Sequence, residues 1–334
     1  MANRYELAYI YARVCGAAAR TWNASRIAEL AHGGKAGDAW RAVFNEAPPS
    51  LPANVLVDEA ERKAIRSAFS EYQELLNHLS GEEPFFEALR RKAEFARVKR
   101  VILAVHTNEP KCPESDDPSL KPGFNAAAYP DIAKMFAGGH YSWIKKEDAD
   151  SFAATENRLD IQYYQELWQA LQTIKPVRRG AVEELVGLDI ELQNVLWALR
   201  LSRYYGMNAE KIKPLLVDIE GRDFISAALA CVDKRPDKRD EWSGWKYEFL
   251  IGGDEQESGW LLDVRNVELE ARRYIYRRLK KALHLHPFSY TPLYCYFKLK
   301  EFETVTVLSL FEGISLGAPV EEITRLAPSS GGAV

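Results

Sequence analysis

The side chains with most capacity for chemistry are four cysteines, six histidines and 48 carboxylates, and their spacing matters more than their number. Cys15, Cys112, Cys231 and Cys295 stand far apart with no CxxC or CxxxC spacing, which excludes a zinc cluster or a dithiol redox motif; they read as reduced thiols of a cytosolic protein. His284 and His286 flank Leu285, so a helix would point them to different faces, and no acid-cysteine cluster stands nearby to complete a metal site. Gly33, Gly34 and Lys35 form a GGK, but Ala36 follows where a Walker loop needs Ser or Thr, so the pair reads as a helix C-cap; Gly138 and Gly139 invite the same reading. Neither GxSxG nor HExxH occurs. Charged helices supply carboxylates by default, so no acid/base pair stands out. No catalytic, cofactor-binding or metal-binding residue is assigned, and no cofactor is expected.

One charge anomaly remains. Residues 265–286 carry seven Lys/Arg against two Glu, with Tyr274 and Tyr276 among them. Such a segment could bind RNA, approach anionic lipid headgroups, or meet an acidic patch on another protein; it could equally be a solvated helix face paired with its own acids. The balance of 44 Lys+Arg against 48 Asp+Glu gives no global attraction to nucleic acid or membrane. The N-terminal MANRYELAYIYARVCG lacks a smooth apolar core, and no run approaches the roughly 20 apolar residues of a spanning helix, so the chain is expected in the cytoplasm.

The elements that must position these groups are helices. Proline-free runs from Ala53 to Glu83, Phe85 to Glu109, Asp131 to Lys175, Val177 to Lys213, Asp237 to His286 and Leu293 to Ala318 have apolar residues mostly three and four apart. The exception, WKYEFLIGG from Trp245, predicts a short strand or a buried irregular segment, and the stretch from His106 to Tyr129 reads as a linker. The fold class is all-α.

The chain also repeats itself. IAELAHGG at Ile27 returns as IAKMFAGG at Ile132, and more faintly as IKPLLVD at Ile212. EFARVKRVILA at Glu94, ELQNVLWALRL at Glu191 and EFETVTVLSLF at Glu301 align without a gap, with Val98, Val195 and Val305 in register. Charged helices precede them at Ala60, Glu156 and Val267, carrying Tyr72, Tyr164 and Tyr276. A period near one hundred residues predicts three small helical domains, residues 1–108, 109–206 and 207–334, rather than solenoid units. Glu94, Glu191, Asn194 and Glu301 mark the repeat and are candidate partner contacts; the acids would serve as lumen or inter-helix contacts, or as surface carboxylates favoured near helix N-termini.

Three stretches carry a family likeness. Tyr9, Tyr11, Ala12, Arg13 and Val14 open the chain; Glu191, Asn194, Arg200, Arg203, Tyr204 and Tyr205 lie in the middle; Lys300 and Glu301 lead the last apolar stripe. In order and spacing these resemble the C-type central-stalk component of bacterial and archaeal V/A-type ATPases, equivalent to the d-type component of the eukaryotic V-ATPase. Arg97 and Thr304 stand where Asn194 stands in the middle third, so no shared role of that side chain follows. The resemblance implies a funnel of three similar helical modules around a pseudo-threefold axis. It also implies a non-catalytic rotor part that sits on the cytoplasmic face of a proteolipid ring and receives the central shaft. Partners would be the shaft proteins and that ring, with no nucleic acid and only indirect or peripheral membrane contact. The alternative is a helical scaffold binding RNA or a regulatory protein through residues 265–286; an enzyme with an unfamiliar helical fold ranks behind both.

Overall fold

The computed structural model describes residues 3–80, 83–113, 123–252, 259–325 and 327. Among them there are helices, turns and no strand. The longer helices are α1 (Arg4–Ala18), α2 (Ala24–Gly33), α3 (Ala36–Phe44), α4 (Ala53–Leu76), α5 (Pro84–His106), α6 (Phe152–Gln172), α7 (Val182–Tyr205), α8 (Val264–Leu285) and α9 (Thr291–Leu316).

Their ends follow local chemistry. Asn3 and Glu6 form a reciprocal capping box on α1, Asn23 caps α2, and Asp263 caps α8. Proline opens α5 and α9, where the missing N–H goes unused in the first turn. Gly34 ends α2 at φ 61°, which is the C-cap expected of the GGK. The WKYEFLIGG stretch is irregular over its described residues, 245–252, with a single 3₁₀ turn at Glu248–Leu250. Much of the linker, residues 114–122, lies outside the described residues. Its ends are tied down: the Tyr129 hydroxyl donates to the Glu109 carbonyl at 2.7 Å, and the Asn125 amide to the Met135 carbonyl at 2.7 Å.

The chain forms two compact units. One comprises residues 1–81, 176–189 and 247–334; the other comprises 82–175 and 190–246. Helix α7 gives residues 182–189 to the first and 190–205 to the second.

In the first unit α9 packs on α4, α8, α1, α2 and α3. Its Val307, Leu310 and Phe311 share a core with Ile27, Trp40 and Ile323, the last from the short helix Val320–Thr324. In the second unit α5 packs on α6. Phe95 meets Tyr141 and Tyr163 edge-on at 5.3 and 5.6 Å, a geometry that aligns ring edges with π faces. The repeat-related Tyr72, Tyr164 and Tyr276 are all buried.

Burial corrects the register of the third repeat window by two residues. The buried stripe reads Glu191, Asn194, Val195, Ala198 and Leu199 in α7, and Glu303, Thr306, Val307, Leu310 and Phe311 in α9. In α5 the matching positions are Glu94, Arg97, Val98, Val101 and Ile102, of which Glu94 is half-buried. Val305, in register in the gap-free alignment, is only half-buried. EFETV offers two acids two residues apart, and only packing distinguishes them.

Close packing makes one glycine critical. A Cβ at Gly313 would come within 2.9 Å of Ile323 Cδ1. Gly313→Val is expected to cost about 1–3 kcal/mol by overpacking, and Ile323→Ala in the same chain to recover part of it. Thermal and urea unfolding of the two single variants and the double variant measure this; additive losses would show that the two positions do not meet.

Candidate functional site

Helices α5, α7 and α9 each bury polar side chains on the face that holds a neighbouring segment of their own unit. Asn194 is the fullest case. Wholly buried in α7, it donates through Nδ2 to the carbonyls of Val217 and Phe224, each at 2.9 Å, and accepts at Oδ1 from the Val217 amide at 2.8 Å. One side chain thus completes the backbone bonding of the segment after α7. One turn earlier, the buried Glu191 carboxylate takes Lys246 Nζ at 2.5 and 2.7 Å, beside an open cavity of about 400 Å³ that Asp223, Lys234 and Trp245 also line.

In α5 the same positions hold other side chains for a related task. Arg97 is buried with its guanidinium 5.9 Å from the centre of the Phe124 ring. Glu94 lies against Gly123, where a Cβ would overlap its carboxylate and approach the Tyr141 ring to 2.9 Å. Burial, then the Glu94 charge, push the Tyr141 hydroxyl well above the usual tyrosine range.

In α9 the carboxylate is Glu303. Its Oε1 accepts from the Trp22 amide at 2.9 Å, just before the Asn23 cap of α2, and its other oxygen pairs with Lys300. Lys300 also reaches Glu71 of α4 at 3.2 Å, and the Tyr296 hydroxyl donates to Glu71 at 2.6 Å. A cavity of about 210 Å³ opens beside this network. Glu301 sits on a different side of α9. It is half-buried and pairs at 3.0 Å with Lys298, which is itself buried and meets Asp189 of α7 at 3.0 Å. A buried ammonium without partners costs several kcal/mol, and the two carboxylates offset that cost. Of the candidates, Glu191 and Asn194 thus share α7, while Glu94 on α5 and Glu301 on α9 are each engaged with neighbours of their own. Lys298, Lys300 and Glu303 were legible as i,i+3 pairs within KLKEFE, whereas Glu71 and Asp189 carry no local signal.

Burial raises the Cys231 thiol to about 12 and raises Cys295 as well, so both stay protonated and poorly nucleophilic. All four cysteines are free. Among the described residues no three His, Cys, Asp or Glu side chains are grouped to hold a metal ion. Part of the basic segment is spent inside its unit: Arg272 lies over Phe302 at 5.2 Å, Arg273 pairs with Glu270, and Arg278 pairs with Glu184. Arg203 in α7 turns inward to the Cys231 carbonyl at 3.3 Å, while Tyr204 and Tyr205 are exposed.

Fold and site together define an all-helical protein whose buried polar side chains fasten its own segments. The chain belongs to the ATP synthase (C/AC39) subunit family, whose model matches residues 47–326. An uncharacterized protein of Treponema pallidum is 25% identical over 317 residues, 93% of each chain. The C-type component of the A-type ATP synthase of Desulfurococcus is 25% identical over 283 residues, 81% of this chain and 76% of the relative. That of Methanosarcina mazei is 23% identical over 187 residues, 55% of this chain and 50% of the relative.

Two outcomes are expected of these anchors. Asn194→Ala strands an amide and two carbonyls in the interior and should cost about 3 kcal/mol or more, read as a lower urea midpoint; a loss near zero would remove Asn194 from the anchoring role. For Lys300, burial alone would lower the ammonium value, but Glu303 and Glu71 outweigh it and the net shift is upward from 10.5. Its stabilisation is therefore complete below that value and is lost as pH rises through the higher folded value. Burial raises Tyr276 and Tyr296, which adds loss of the same sign. Denaturation midpoints should fall at alkaline pH, and Lys300→Met should flatten that fall.

Proposed function

We propose that this chain is the non-catalytic rotor adapter of a V/A-type ATPase, joining the central shaft to the proteolipid ring and carrying torque for ion transport. Family membership supports the parent machine. The observation that carries the mechanical role is a cyclic pattern of anchoring. In each third, the closing helix holds the segment that leads to the next third: α5 through Arg97 and Glu94, α7 through Asn194 and Glu191. The last returns to the start of the chain, with α9 holding Trp22 through Glu303 and packing on α4. In this reading the chain is built of three modules, residues 1–108, 109–206 and 207–334, which these anchors would join in sequence.

Torque passes through a body that deforms little. Close-packed interiors have low compressibility, and buried ion pairs with fixed geometry resist sliding of one helix past another. In this reading, ATP hydrolysis belongs to other members of the complex, and this chain acts at the cytoplasmic face of the membrane as a peripheral component. Among the described residues no helix is long and apolar enough to cross a membrane. The anchors Glu94, Glu191, Asn194 and Glu301 with its neighbour Glu303 then stiffen the wall, and Tyr204 and Tyr205 are exposed contacts for a partner.

Affinity capture of the tagged chain from detergent-solubilised membranes, with mass spectrometry of the co-purifying proteins, tests this. Recovery of the catalytic, shaft and proteolipid proteins in constant ratio is expected. Capture of nucleic acid or of unrelated proteins without those components would overturn it.

A further inference from the structure

The basic segment is only partly neutralised. Arg272, Arg273 and Arg278 are occupied, but Arg277, Lys280 and Lys281 meet no acidic partner among the described residues. With His284 they fall at i, i+3, i+4 and i+7, one exposed face of the last turns of α8. The nearby acids are already engaged: Glu184 by Arg278, Glu270 by Arg273, and Glu6 by Ser80 and Asn3. A cationic face without a local counter-charge therefore persists.

Apolar side chains stand at its end. Leu285 is 59% exposed and Phe288 48%, and α1 adds Tyr5 at 87%. The two helices are joined there, because the Arg4 guanidinium lies 4.8 Å over the Phe288 ring and the Tyr11 hydroxyl is 3.3 Å from His284 Nδ1. Cations in a row beside exposed Leu, Phe and Tyr are the composition of an interfacial surface, where basic groups meet headgroup phosphates and apolar groups enter the acyl boundary. RNA fits less well. Single-stranded RNA gains its stacking energy on free aromatic faces, and one face of Phe288 is already covered by Arg4.

We infer that the face running from the last turns of α8 onto the start of α1 docks on an anionic lipid bilayer. The contact lies within one unit of the chain and does not depend on the adapter reading. Lipid headgroups are laterally mobile, so such a contact restrains distance from the membrane without fixing rotational register.

The purified full chain is to be mixed with vesicles of pure phosphatidylcholine, and with vesicles in which roughly a third of the lipid is phosphatidylserine, and sedimented. Binding to the anionic vesicles alone is expected, weakening with salt. Lys280→Gln with Lys281→Gln should weaken it on the order of thirtyfold, from about fivefold per basic residue near the surface. Leu285→Ser with Phe288→Ser should weaken the binding that remains at high salt. Lys211→Gln with Lys213→Gln, exposed lysines of the other unit, should change nothing, and circular dichroism checks that every variant folds. Equal binding to both vesicle types, no binding to either, or indifference to the Lys280 and Lys281 changes overturns the proposal. So does tight binding of an RNA oligonucleotide that needs the same lysines while vesicles fail to compete. None of these failures bears on which proteins co-purify from solubilised membranes, which reads the adapter role separately.

Discussion

Everything in this molecule hangs on how a largely buried helix disposes of its polar side chains. A helix sunk in a core on most of its circumference must either be apolar throughout or satisfy each polar group it buries. Helices α5, α7 and α9 take the second course. Arg97, Asn194 and Glu303 each reach out of their own helix to a ring, to backbone groups or to an amide of a neighbouring segment. The polar groups thereby specify which segment lies where, which an apolar stripe alone would leave degenerate. Val98 and Val195, each buried one residue after its anchor, and Val307, buried four residues after Glu303, supply the area, and the anchors supply the registration.

How much of this was legible in the sequence follows from the range of each signal. Helices, proline starts and caps are local, and the sequence carries them: Pro84 and Pro292 open helices, and Gly34 closes one in the left-handed region. The sequence also shows a recurring acid with a valine four residues after it, at Glu94, Glu191 and Glu301. The exact register in α9 was not legible. Glu301 and Glu303 are indistinguishable by type, and only the burial of the stripe below them separates a same-helix ion pair from a segment anchor. Long-range partners were beyond reach. Nothing near Asn194 points to Val217 or Phe224, and nothing near Lys298 points to Asp189, since those pairings are settled by tertiary packing.

Charge shows the same division. The excess of cations in residues 265–286 reads from composition as one patch, yet its members lead different lives. Arg272 is withdrawn against an aromatic ring, and burial lowers its pKa. Arg273 and Arg278 are neutralised by acids one turn away and on another helix. Of the rest, Arg277, Lys280 and Lys281 are exposed, and helical periodicity gathers these three on one side.

The first unit is stitched from the beginning, the middle and the end of the polypeptide, with Ile27 and Trp40 waiting for Leu310 and Phe311. A ribosome delivers α2 and α3 long before α9 exists, so these early helices emerge with their apolar faces uncovered. Contacts between residues so distant in sequence form slowly, because loop closure costs entropy before it is rewarded. The other unit, contained within residues 82–246, has all its partners sooner and can be complete while the first is still unfinished. Until the last helix arrives, the apolar faces of the amino-terminal helices lack part of their cover, the condition under which incomplete chains are prone to aggregate.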